Sequence, residues 1–266
     1  MLALALCACQ KPTALTPSLS VEEVQNEQLA QQQIVDEIKA KGGQPKPWKN
    51  HPNMRKQFER VGERVEKAGA EICLGLHLQE RGCYYYFRLS QDNDLNSHAD
   101  GENVVIYTGM IRFVESDDEL AAVMAHELAH NLMGHIQAQK NNATIGFVLG
   151  VAIDALASSQ GINSGGSISK TGEDIGVLSY SAEFEQEADY VGLYIMARAG
   201  YDIKKAPNLW RRMSAQNPKA IYVTSTHPSN ATRFVALQKA VYEIKYKREH
   251  KSPVLPDLKA DATASD

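Results

Sequence analysis

The stretch Ser116-Asp117-Asp118-Glu119-Leu120-Ala121-Ala122-Val123-Met124-Ala125-His126-Glu127-Leu128-Ala129-His130 decides how this chain is read. Ser116 followed three residues later by Glu119 is a capping box, which opens a helix at Asp117. Val123, Met124, Ala125, Leu128, Ala129 and Leu132 are uncharged, as a buried helix requires, and the helix is expected to run to Gln139. His126 and His130 are four residues apart, so both imidazoles leave one helix face about one turn apart. Two imidazoles so placed can hold one zinc ion from the same side. Glu127 lies beside them, where a carboxylate can take a proton from water at the metal. A catalytic site of this kind needs a third protein ligand, a His or a carboxylate from another element.

Working outward, Ser181 to Ala199 reads as a second helix with Gly200 as its stop signal. It carries Glu183, Glu185, Glu187 and Asp189. Helical geometry puts Glu185 on one face with Ala188, Asp189 and Gly192, small residues that let the helix approach another closely. Phe184, Val191 and Ile195 make the core stripe beside that face, while Glu183 and Glu187 point to the opposite side, expected to be solvated. Glu185 is therefore the expected third ligand. Asp189, one turn on, can accept a hydrogen bond from a ligand imidazole and fix its tautomer. His135 falls about 140° further round a continuous helix than His130, which argues against a ligand role.

The HELAH run followed by Glu185-Gln186-Glu187-Ala188-Asp189 resembles the gluzincin metallopeptidases of the HtpX and CAAX-prenyl-protease type. More specifically it is similar to the periplasmic lipoprotein branch of BepA- and LoiP-like proteases, over roughly residues 55–245. That family carries an Asn-Ala pair, a Gly and a strand ahead of the zinc helix, and here Asn96-Ser97, Gly101 and Val104–Gly109 stand in those places, with Ser97 replacing the usual Ala. Thr226-His227-Pro228 and Arg233 match its downstream His-Pro and Arg, and Ser181-Ala182 stands where a Ser-Arg pair is common. The resemblance implies a zincin-type fold, with a small β-sheet packed beside the HExxH helix. It implies one Zn²⁺ per chain on His126, His130 and Glu185, with Glu127 as general base. It also implies an endopeptidase of the bacterial envelope acting in quality control on unfolded or misassembled proteins, with outer-membrane assembly machinery as a candidate partner. His227 and Arg233 are the candidate donors to the oxyanion, and His227 can alternatively ligate the metal in a latent state. The strand near Val104–Tyr107 is expected to offer an edge to an extended substrate, with Asn96 binding substrate backbone beside it. The alternative reading is a largely latent chaperone or assembly factor for outer-membrane proteins on the same fold.

The rest of the chain sets the frame. Its 266 residues, 43% hydrophobic and 23% charged, exclude a mostly disordered chain, a collagen and a coiled coil. A net charge of −4 argues against nucleic acid as a partner, and a mean hydropathy of −0.36 excludes a polytopic membrane protein. Residues 1–9 end in Leu6-Cys7-Ala8-Cys9, which resembles a lipobox with Cys9 as the lipidated residue, although a basic n-region is missing and the start is expected upstream. Gln10 favours the outer membrane, so the expected place is the periplasm, anchored to that membrane's inner face.

Residues 10–20 read as a flexible tether and Ser20–Lys41 as a helix, broken by Gly42–Pro47. Asn53–Ala70 reads as a helix, and residues 72–78, 84–89 and 102–107 as strands, with a short helix over 108–114. Cys73 and Cys83 would then face each other across a hairpin, either paired or as two buried thiols. Residues 143–157 are apolar but too few to cross a bilayer, so a buried or membrane-surface helix is expected there. Residues 158–172 read as a Gly/Ser-rich loop, 203–216 and 231–249 as helices, and the polar tail from Ser252 as frayed. The fold class is α+β, mainly helical. The organisation is a leader (1–9), a tether and N-terminal helix (10–50), a metallopeptidase domain (51–251) and a tail (252–266).

Overall fold

The computed structural model describes residues 13–40, 53–141, 182–216 and 231–259. The lipobox at Cys9, the apolar run 143–157, the Gly/Ser-rich 158–172 and His227 lie outside them. Among the described residues, the helices that frame the site are α1 Val21–Ala40, α2 Met54–Gly75, α3 Thr108–Phe113, α4 Asp117–Leu132, α5 Ala182–Arg198, α6 Lys205–Gln216 and α7 Ala231–Glu249. Three strands, β1 Tyr86–Ser90, β2 Ser97–Ala99 and β3 Asn103–Tyr107, form one sheet in the order β1-β3-β2. The chain is mainly helical with a small sheet, as its α+β patterning requires.

The organising element is α4. Its N-cap Ser116 accepts from the Glu119 amide at 3.3 Å, and the Glu119 carboxylate accepts from the Glu115 amide at 2.7 Å, one residue earlier than a capping box predicts. Every residue from Glu119 to Leu132 is buried, so α4 runs through the core with helices and sheet packed around it. Its heaviest neighbour is α5, followed by α2. Asn131 ties its C-terminal end to the sheet: its side chain accepts from Gly101 N at 2.9 Å and donates to Asn103 O at 3.0 Å.

Residues 72–78 are not a strand. The buried stripe Phe58, Val61, Val65, Ala68, Ile72 keeps helical spacing to the end of α2, and this burial overrides the local alternation of Ile72, Leu74, Leu76 and Leu78. Two crossed bonds close the helix, His77 N to Leu74 O at 3.2 Å and Leu78 N to Cys73 O at 3.0 Å, with His77 left-handed at φ +57°. The disulfide Cys73–Cys83 therefore joins a helix end to the segment before β1 rather than two hairpin strands.

The strand at Val104–Tyr107 is not an edge. β3 is central, parallel to β1 and antiparallel to β2, with Val104 and Ile106 fully buried. The edge nearer α4 is the short β2, which the sequence reading missed. The HExxH helix also stops early, at Leu132 rather than Gln139. Gly134 sits at φ +74°, a conformation open to glycine without steric cost, and residues 135–141 are helical again.

The described residues nearest the two ends, 13–20 and 252–259, pack rather than forming a loose tether and a frayed tail. Ala14 is 0% exposed and bridges Leu258, with Leu15 N on Asp257 O at 2.7 Å and Lys259 N on Thr13 O at 2.8 Å. Lys247 Nζ binds Leu255 O at 2.8 Å, and Val254, Leu255 and Leu258 pack on the main core. The following helix α1 is fixed to the body by Glu27, which accepts from Arg211 at 2.7 and 2.6 Å.

Candidate metal centre and active site

α4 and α5 together present the donors. His126 and His130, one turn apart on α4, bring their Nε2 atoms to 3.1 Å. Glu185, in the first turn of α5, places Oε2 3.5 Å from His126 Nε2 and Oε1 3.3 Å from His130 Nε2. All three side chains are buried, and among the described residues this is the one His/Cys/Asp/Glu group whose ligand atoms converge, all within 4.8 Å. A tetrahedral ion with bonds near 2.0–2.1 Å has ligand–ligand edges of about 3.3 Å. The observed spacings and the two-nitrogen, one-oxygen donor set therefore fit a divalent metal without rearrangement.

Close helix approach makes this possible. Gly192 of α5 lies against α4 so tightly that a Cβ there would stand 3.1 Å from His126 N and 3.2 Å from Ala125 O. The small-residue face anticipated for Glu185, Ala188 and Gly192 is the interface itself.

Behind His126 stands Asp189, with Oδ1 3.0 Å from His126 Nδ1. Arg233 of α7 grips the same carboxylate through Nε at 2.7 Å and Nη2 at 2.9 Å. Its Nη1 reaches Glu185 Oε2 at 2.7 Å. The guanidinium is 2% exposed and lies 5.4 Å over the Trp210 ring, whose edge also meets His126. Arg233 was expected as an oxyanion donor; its guanidinium pairs with Asp189 behind the donor set and with Glu185 of the donor set itself.

Burial works to raise the Asp189 carboxyl, yet Arg233 and His126 hold it below the usual carboxylate value. Burial likewise presses the His126 imidazole down, and the Asp189 and Glu185 carboxylates outweigh it, lifting its pKa to about 9. His130 goes the other way: burial drives it well below its ordinary value against the pull of Glu185.

Glu127 is 0% exposed, and its Oε1 accepts from the buried Ser97 hydroxyl at 2.7 Å. The residue that departs from the family pattern thus touches the expected general base. Asn96 directly precedes β2, and its carbonyl accepts from Tyr107 N at 3.3 Å, which sets it at the head of the edge strand.

Two buried residues beside the donor set escaped the sequence reading. Because Gly134 breaks the helix, the 140° estimate does not apply to His135. It is 1% exposed, with Nδ1 2.9 Å from His130 Nδ1, Nε2 2.7 Å from Glu187 Oε2, and its ring stacked on Phe184. Glu187, expected on a solvated face, is likewise 1% exposed. The N-terminal segment covers that face, and Glu187 Oε1 accepts from Thr13 N at 2.6 Å and from Ala14 N. The legible signal was the glycine immediately before His135, a common helix terminator.

An HExxH helix whose two histidines converge with a glutamate from a later helix defines an HExxH metallopeptidase. The profile of Peptidase family M48 matches residues 56–241, and the chain belongs to that family. It is 35% identical over 153 residues to the mitochondrial metalloendopeptidase OMA1 of Schizosaccharomyces pombe, covering 56% of this chain and 44% of OMA1. It is 30% identical over 154 residues to the beta-barrel assembly-enhancing protease of Yersinia pestis, covering 54% of this chain and 32% of that protein. The putative counterpart from Vibrio cholerae is 25% identical over 193 residues, 68% of this chain and 38% of the relative. The chain spans less than half the length of each of these relatives.

Proposed function

We propose that this chain is a zinc-dependent endopeptidase of the bacterial envelope that cleaves unfolded or misassembled proteins. The observation that carries the reading is the position of Glu127: it is adjacent in α4 to a buried His126, His130, Glu185 donor set, and it is hydrogen-bonded to Ser97 on an edge strand. His126, His130 and Glu185 would hold one ion per chain. A donor set without cysteine favours a catalytic over a structural zinc. When bound, Zn²⁺ supplies a lowered water pKa and Lewis acidity toward a carbonyl.

The chain's own groups do the rest. Glu127 accepts the proton of the attacking water and passes it to the leaving amine. Ser97 fixes the orientation of that carboxylate, and Asp189 and Arg233 fix His126 and Glu185. β2, with Asn96 at its head, offers backbone groups to an extended substrate. Backbone pairing selects for unfolded segments rather than for one sequence.

The disulfide Cys73–Cys83 supports an oxidising compartment. Leu6-Cys7-Ala8-Cys9 supports a lipid anchor at Cys9 on the inner face of the outer membrane. Relatives named beta-barrel assembly-enhancing protease support outer-membrane assembly machinery as a partner. One observation favours a second reading. Glu127, His130 and Glu185 are each 0% exposed, which suits a largely latent chaperone or assembly factor.

Metal content and casein cleavage test the proposal, comparing wild type with Glu127→Gln. One zinc per chain in both, with cleavage reduced at least about 10²-fold in the variant, is the expected result. Equal cleavage by the two proteins, or no zinc in the wild type, would overturn it. A cellular role that survives Glu127→Gln would favour the second reading.

A further inference from the structure

Each metal-facing imidazole has a carboxylate behind it, but the two are reached differently. Asp189 touches His126 directly. Behind His130 the connection runs through another histidine, His130 Nδ1 to His135 Nδ1 at 2.9 Å and His135 Nε2 to Glu187 Oε2 at 2.7 Å. The far end of Glu187 is closed by the chain's N-terminal segment, with Thr13 N at 2.6 Å from Oε1, Thr13 Oγ1 at 3.3 Å and Ala14 N also donating. That segment is itself pinned to the C-terminal residues Asp257–Lys259.

For neutral imidazoles the hydrogen-bond pattern sets the protons along this line. Glu187 as a carboxylate is an acceptor only, so His135 carries its proton on Nε2 and presents a bare Nδ1. A bare His135 Nδ1 requires the proton of His130 on Nδ1. That leaves His130 Nε2 bare, which is the atom that faces His126 and Glu185.

We propose that His135 and Glu187, held from outside by the backbone amides of Thr13 and Ala14, are positioning residues that set the tautomer and orientation of His130 for metal binding. The extended N-terminal segment is then a working part of the metal centre rather than a passive tether. The inference rests on the ligand set proposed above.

Glu187→Gln inverts the pattern with little change of volume. The two backbone amides keep its carbonyl oxygen, so the side-chain NH₂ faces His135 Nε2. His135 must move its proton to Nδ1, and His130 must then carry its own on Nε2, where it blocks the metal. Full-length wild type, Glu187→Gln and Thr13→Pro would be compared by chelator competition for Zn²⁺ and Co²⁺, alongside thermal melts without metal. Thr13→Pro removes an amide that the Asp257–Lys259 pairing does not use.

Glu187→Gln is expected to weaken metal binding about 10–100-fold, as removal of an outer partner of a ligand histidine does. Thr13→Pro should weaken it by a smaller factor. In a His135→Phe background, which keeps the ring stack on Phe184, Glu187→Gln should have no further effect on affinity, because its route to His130 is gone. Wild-type affinity in Glu187→Gln overturns the inference while leaving the ligand set standing. Should Glu187→Gln fail to fold, Thr13→Pro decides: unchanged affinity there overturns the inference, weakened affinity supports it. A wild type that binds neither ion overturns the ligand set and this inference together.

Discussion

Gly192→Ala is the sharpest test of how α5 is held against α4. In an ordinary helix interior the exchange stabilises by up to about 1 kcal/mol, because glycine is a poor helix former. Here the new Cβ would stand 3.1 Å from His126 N and 3.2 Å from both Ala125 C and O. These are backbone atoms of a buried helix, so they cannot swing aside, and the two helices must part by a few tenths of an ångström. Overpacking of this kind costs about 1–3 kcal/mol, which outweighs the propensity gain and leaves a net loss of about 1 kcal/mol. For a domain of this size the melting temperature should fall by about 2–4 °C.

The metal centre should respond as well. The 3.5 and 3.3 Å spacings from Glu185 to the two histidines both cross this interface. Metal affinity should fall about tenfold, the lower end of the range for a disturbed ligand shell. Gly62→Ala supplies the control, since a Cβ at Gly62 of α2 meets Phe87 at an ordinary 3.6 Å. That substitution should raise the melting temperature by about 2 °C, through the propensity term alone. Thermal melts with and without metal, together with chelator competition, read both variants. If Gly192→Ala stabilises as much as Gly62→Ala and binds metal as tightly as wild type, close helix approach does not position the ligands.

Two further outcomes are expected. His126 has its folded pKa lifted to about 9 by Asp189 and Glu185 against burial, above the ordinary value near 6.5. The stability from its protonated pairing is therefore fully present below about pH 6.5 and lost as pH rises through about 9. Melts of the metal-free protein should drop across that window, and metal uptake at pH 7 should release about one proton from this residue. A flat melting profile with no proton release would refute the assignment. The Cys73–Cys83 disulfide closes a loop with a sequence separation of 10, worth about 2–3 kcal/mol. The double variant Cys73→Ala, Cys83→Ala should melt about 5–10 °C lower, and an unchanged melt under oxidising conditions would count against any stabilising role.

Local signals were sufficient wherever the decisive interaction was local. The capping box at Ser116, the i, i+4 histidines of α4, the Gly200 stop and the face shared by Glu185, Ala188, Asp189 and Gly192 all follow from helical spacing over a few residues. α5, α6 and α7 accordingly lie within two residues of their expected bounds. Apart from the local break at Gly134, the misses have another cause. Residues 72–78 alternate like a strand, but the core that buries Ile72 and Cys73 is built by distant elements and keeps them helical.

The HExxH helix, the element that offers a third donor and the mainly helical frame were legible in the residues alone, because each depends on the geometry of one helix at a time. What stands behind those donors depends on contacts between segments far apart in the chain. Thr13 bonds Glu187 across 174 positions of sequence, and Ser97 reaches Glu127 across 30. A spacing rule cannot show which side of a helix another segment will cover. Once the N-terminal segment lies over α5, Glu187 leaves water and needs partners. With the helix broken at Gly134, His135 meets it, so that two residues read as solvated or idle stand directly behind His130 of the proposed donor set.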